Sequence, residues 1–181
     1  SALLPLVAAG LALYLVGLAI IALSLWRAAQ QKTPHNFSAL SVGLALVWWA
    51  GVLATLLIGT IVAAVQAYLP EGDGLAGFAQ VSVLMRQLTP YLAAGFAAQI
   101  VIGALSYLIP VVLGGGPSAV RAGTVAFNRF GVLRVAVANT ALAITALPVS
   151  TLLPALVPPL IHTAAMILYV TTMAAFLIIM G

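Results

Sequence analysis

From Leu3 to Trp26 the chain runs without a charged side chain, and four further stretches of similar character follow, at about 38–69, 90–113, 130–153 and 160–180. A helix needs roughly 20 mainly apolar residues to cross a hydrocarbon core of about 30 Å, and all five stretches reach that length. The stretch over 38–69 is longer than a perpendicular crossing needs, so it is expected to tilt or project. Pro148 removes a helical hydrogen bond and is expected to kink or end the fourth span. Pro158 and Pro159 stand where the fifth begins, at a position where a missing amide hydrogen costs least.

These runs cannot be hidden inside a globule. With 65% hydrophobic residues, 4% charged residues and a mean hydropathy of +1.27 over 181 residues, too little polar surface exists to coat a soluble domain. The expected fold is all-α, a polytopic transmembrane helical bundle of about five spans forming one domain over residues 1–181. Its first partner is the lipid bilayer. The net charge of +4 comes from six Lys and Arg against two acids, which is too sparse for a nucleic-acid face and reads as a topology signal.

Counting those charges gives an orientation. Arg27 and Lys32 lie between spans one and two, and Arg121, Arg129 and Arg134 lie between or just inside spans three and four. Both connections are expected on the cytoplasmic side of a plasma membrane. Glu71, Asp73 and Arg86 fall between spans two and three, expected outside, so the chain starts outside and ends in the cytoplasm. Before span three, "GFAQVSVLMRQLTP" repeats Phe78, Val81, Met85 and Leu88 at helical spacing. It reads as a short amphipathic surface helix or as an outward extension of span three.

Few residues can carry chemistry. The absence of cysteine excludes disulfides, thiolate zinc, cysteinyl iron–sulfur clusters and a blue-copper site within this chain. "YLIPVVLGGGPSAVRAG" is glycine-rich, yet it lacks the Gly-Lys-Ser/Thr ending by which a lysine reaches phosphates, and it follows an apolar helix rather than a strand. It reads as a helix stop followed by a basic cytoplasmic connection. His35 and His162 are expected on opposite sides of the membrane, so they cannot share a metal within one chain. His162 fits a single axial ligand or proton acceptor; the commoner role is an interfacial histidine bonded to backbone. Glu71 and Asp73, set among glycines in "PEGDG", read as a solvated turn.

Neutral polar groups inside the spans are the better candidates. Gln99 stands in span three with Gly95 and Gly103 four residues to either side, and Asn139 and Thr140 stand near the middle of span four. Such groups can hydrogen-bond a quinone, a haem propionate or a solute, but more often they join helices whose small neighbours allow close approach. Trp48 and Trp49 lie well inside span two, away from the interfaces where tryptophan is usual, and either wall a cofactor or fill a groove. No paired intramembrane acids, proton-relay chain or inverted repeat is visible, which weakens a pump or secondary transporter.

At "AGLALYLVGLAIIALSLWRAA", "QLTPYLAAGFAAQIVIGALSYLIPVVLGGGPSAVRAG" and "NRFGVLRVAVANTAL" the sequence resembles the membrane part of actinobacterial multicopper oxidase or copper nitrite-reductase-like proteins. The resemblance covers most of residues 8–147, and residues 148–181, including His162, depart from the pattern. It implies a non-catalytic membrane portion of a copper-dependent oxidoreductase, joined to an extracytoplasmic cupredoxin portion. Gln99, Asn139, Trp48 and Trp49 are then candidates for a quinol or haem environment. The His-x-His-Leu-Asn motif that the resemblance leads one to expect is absent, so no metal ligand is assigned. Copper or haem would belong to the parent protein or complex. Ser1 in place of Met and an end directly after an apolar run are expected of a piece of a longer polypeptide. The alternatives are a small-solute transporter or channel component, or a structural subunit of a respiratory membrane complex among other transmembrane helices.

Overall fold

The computed structural model describes residues 3–31, 36–69, 72–112, 116–146 and 159–180. Among them every regular element is helical. They are α1 (Leu3–Gln31), α2 (Phe37–Ala67), α3 (Gly74–Tyr91), a π-helical stretch (Leu92–Ala98), α4 (Gln99–Val112), α5 (Gly116–Asn128), α6 (Gly131–Ala146) and α7 (Pro159–Met180). Helix is what an apolar solvent demands, because each backbone N–H and C=O then finds its partner within the same segment. Among the described residues three stretches are long and apolar enough to cross a membrane: Leu3–Gln31, Phe37–Ala67 and the continuous Gly74–Val112. α5 and α6 pass the same test together as one span bent by 41°.

Two boundaries differ from those read in the sequence. The helix expected to start at Pro90 starts at Gly74, so the amphipathic segment is an extension of the span rather than a separate surface helix. Asp73 sets that start: its carboxylate accepts a hydrogen bond from the Leu75 amide at 2.8 Å and so caps the first turn. The basic connection after the glycines is itself a helix, α5, from Gly116 onward. Residues 113–115, and with them two of the three glycines, lie outside the described residues, as do Lys32, His35, Glu71, Pro148 and Pro158.

The chain divides into two compact units, residues 1–33 with 46–93 and residues 34–45 with 94–181. In the first, Leu4, Ala63 and Ala64 form a small core with Ala67, Phe78 and Val81 packed against it. Gly77 permits this approach, since a Cβ there would stand 3.0 Å from Leu4 Cδ1 and 3.3 Å from the Ala63 carbonyl oxygen.

In the second unit, α6 buries Gly131, Val135, Ala138, Leu142 and Thr145, a stripe recurring every three to four residues, and runs along α7. The start of α2 meets α4 closely. A Cβ on Gly103 would lie 3.1 Å from the Ser38 carbonyl oxygen and 3.1 Å from Val42 Cγ2. Small residues at such crossings let backbones approach where lipid offers no hydrophobic drive to associate. Outside these seams large apolar side chains face outward, Leu13 at 74% and Val101 at 54% exposure among them. Only an apolar surrounding makes that arrangement cheap.

Candidate functional site

Gln99 and Asn139 meet in the second unit. Gln99 Nε2 donates to Asn139 Oδ1 at 2.9 Å, and Asn139 Nδ2 donates in return to Gln99 Oε1 at 3.2 Å. Asn139 Nδ2 also donates to the Val135 carbonyl oxygen, one turn back, at 2.8 Å. The Ser41 hydroxyl donates to the Gln99 carbonyl oxygen at 3.0 Å, which ties the start of α2 to the same point. Gln99 is 1% exposed and Asn139 is half-buried.

Helix geometry explains why these residues converge. Gly95, Gln99, Gly103, Ser106 and Pro110 are buried and succeed one another every three or four residues, so they form one face of the π-helical stretch and α4. The glycines remove bulk on either side of the Gln99 amide. On α6, Val135, Ala138 and Leu142 are the buried residues on either side of Asn139. The two carboxamides present complementary donors and acceptors, and a reciprocal pair satisfies most of their capacity without water or ligand.

Trp48 and Trp49 belong to the other unit and have aromatic partners of their own. Trp48 stacks on Tyr91 with ring centroids 6.4 Å apart and planes inclined by 11°, and Trp49 meets Tyr14 edge-on at 5.4 Å. Both tryptophans are half-buried. The four sequence candidates therefore form two groupings, an amide pair and a set of aromatic pairs, each within its own unit.

His162 is exposed on the first turns of α7. Asp73 is committed to the cap of α3. Among the described residues no cluster of three or more His, Cys, Asp or Glu side chains is placed to hold a metal ion. Several threonine hydroxyls are bonded to their own helices: Thr55 to the Gly51 carbonyl oxygen, Thr60 to Leu56 and Thr172 to Leu168, at 2.7–2.8 Å. That is how a hydroxyl at membrane depth satisfies its proton without a ligand.

Two arrangements are not visible in the sequence. The first lies below Pro90, where the ladder of α3 widens into the π-helical stretch and the Tyr169 hydroxyl of α7 donates to the Ala94 carbonyl oxygen at 2.7 Å. Proline withholds a donor and crowds the preceding turn, and π-type widening is one of the adjustments by which apolar helices absorb it.

The second is a polar knot where α5 turns into α6. Asn128 Oδ1 accepts from the Phe37 amide at 2.7 Å, so a residue 91 positions away caps the start of α2. The Asn128 side-chain amide reaches Asn36 Oδ1 at 3.4 Å. Arg134 spreads over the Phe37 ring, 4.4 Å from its centroid, and its Nη2 donates to the Phe127 carbonyl oxygen near the end of α5. Its Nε and Nη1 are buried and have no hydrogen-bond partner among the described residues. The sequence signal was the cluster Asn128, Arg129, Arg134 beside a turn, readable as topology but not as a cap.

Compared with protein-family models, curated proteins and solved structures, the chain matches none.

Proposed function

We propose that this chain is a non-catalytic, membrane-embedded helical module whose interior polar groups serve to join helices. The observation that carries the reading is the Gln99–Asn139 pair: a fully buried carboxamide and a half-buried one on different helices are spent on each other. A ligand-binding amide would instead hold a donor or acceptor open toward a cavity.

Within this reading the module crosses the membrane about five times, at α1, α2, the α3–α4 helix, α6 and α7, starting outside and ending in the cytoplasm. Its host is the membrane part of a copper-dependent oxidoreductase carrying an extracytoplasmic cupredoxin portion. That assignment rests on the sequence resemblance in residues 8–147 alone. Copper or haem sits in other parts of the assembly, and Gln99, Asn139, Trp48 and Trp49 border a quinol or haem site only if a cofactor opens the pairs described above.

The test is the intact mass, metal content and reduced-minus-oxidised visible spectrum of the purified native assembly. A mass well above 18.5 kDa with copper or haem present is expected. A mass that matches the chain, with no metal, no redox band and solute flux in liposomes, overturns the copper assignment in favour of a transporter. In a metal-containing assembly, loss of quinol-linked activity on Gln99→Ala at unchanged protein level would replace the joining role by a cofactor role.

A further inference from the structure

The outer face of α5 combines features that neither helix packing nor the proposed host requires. α5 has 13 residues, a length of about 20 Å, too short to cross a hydrocarbon core of about 30 Å unaided. Its inner side is packed: Phe127 is buried, and Gly123 lies so close to Pro110 of α4 that a Cβ would come within 2.9 Å of the proline ring. Its outer side carries an open groove of about 700 Å³ lined by Arg121, Ala122, Val125, Ala126, Asn128 and Arg129. The floor is apolar, with Val125 71% exposed, and Arg121 and Arg129 are both among its lining residues.

Nothing in the second unit neutralises those arginines. No acidic residue occurs after Asp73, and Arg121 makes no ion pair among the described residues. The Arg129 guanidinium lies 5.5 Å from the centre of the Phe130 ring. Phe130 has a positive φ of 54°, a backbone state that costs a side-chain-bearing residue roughly 1–2 kcal/mol, and its ring is 66% exposed. The turn thus holds an aromatic ring and a cation outward together. Asn128 takes no part, since its amide is committed to α2.

Arginine at bilayer depth is costly, whereas at headgroup level the same side chain finds phosphate while its neighbours reach the acyl boundary. We propose that the α5 groove binds an anionic phospholipid, its headgroup phosphate held between Arg121 and Arg129 and an acyl chain lying over Ala122, Val125 and Ala126. Charge complementarity selects the occupant: an apolar floor lined by two arginines, with no acidic residue in the same unit, matches a molecule that joins a negative group to a hydrocarbon chain.

Native mass spectrometry of the full purified protein tests this, with phosphatidylglycerol, phosphatidylcholine and inorganic phosphate as separate probes. A basic side chain near a lipid surface contributes about a factor of five, so the wild type is expected to retain phosphatidylglycerol at least about tenfold better than phosphatidylcholine. R121Q/R129Q is expected to remove most of that preference while leaving helix content by circular dichroism unchanged, and R27Q on α1 is expected to keep it. Equal retention of the two lipids, or a preference unaltered in R121Q/R129Q, overturns the proposal. Displacement of phosphatidylglycerol by millimolar inorganic phosphate also overturns it, since the groove would then be a site for free anions. If R121Q/R129Q loses helix content, the single variants R121K and R129K decide: retained preference supports the charge argument, and lost preference contradicts it.

Discussion

Gln99 and Asn139, forty residues apart in sequence, hold one another through two side-chain hydrogen bonds of 2.9 and 3.2 Å that join α4 to α6. Gln99 is 1% exposed, so removing Asn139 takes a partner from a buried carboxamide. The pair is expected to behave as a unit under mutation.

A double-mutant cycle with Gln99→Leu and Asn139→Leu checks this. Interhelical hydrogen bonds in membranes contribute about 0.6 kcal/mol on average and up to about 1.7, so a coupling energy of about 1 kcal/mol is expected. The double variant should lose less stability than the sum of the singles. Strict additivity in reversible unfolding would mean that the two amides act separately.

Tyr169→Phe removes the hydroxyl that donates to the Ala94 carbonyl oxygen in the π-helical stretch. A loss of about 1 kcal/mol is expected, with faster amide hydrogen exchange concentrated over 94–98. Unchanged exchange there would show that the widened turns hold without the tyrosine.

Glycine positions separate close approach from open surface. Gly103→Leu must displace α2 at Ser38 and Val42 and is expected to destabilise by about 1–3 kcal/mol. Gly43→Ala adds a methyl where nothing lies within 4 Å and is expected to be neutral or stabilising by up to about 1 kcal/mol. Thermal unfolding in one detergent compares the two directly.

The backbone of Phe130 offers an independent check on the α5–α6 turn. Phe130→Gly relieves the left-handed conformation but removes the exposed ring beside Arg129. Stability is expected to hold or to rise by up to about 1 kcal/mol, while retention of phosphatidylglycerol falls. A fall in stability above 1 kcal/mol would mean that the ring packs against the protein.

The helices are legible in the sequence because hydropathy alone dictates them: a run such as Leu3–Trp26 has no other stable form in lipid. Gln99 and Asn139 stand out for the same reason, as neutral polar groups at depth. Their pairing is not legible, since it depends on which faces of α4 and α6 meet. Pro90 reads as the start of a span because proline suits a first turn; in the structure the cap at Asp73 starts the helix earlier and Pro90 lies inside it, just before the π-helical stretch. Tyr169 carries no local signal, because its acceptor lies 75 residues away. Trp48 and Trp49 invite a cofactor reading by their depth, whereas their ring partners, Tyr91 and Tyr14, come from other helices.

The account rests on lipid as the solvent of the outward faces, and a chain without cysteine makes that directly measurable. Leu13→Cys, Val101→Cys and Val170→Cys place thiols on exposed apolar positions in α1, α4 and α7, with Arg27→Cys and Gln80→Cys as water-facing references. In intact membranes a charged maleimide reagent, given access to both faces, is expected to label the reference positions readily and the three apolar positions at least about tenfold more slowly, because lipid keeps thiolate and reagent apart. Equal labelling at all five positions would contradict a membrane-embedded module.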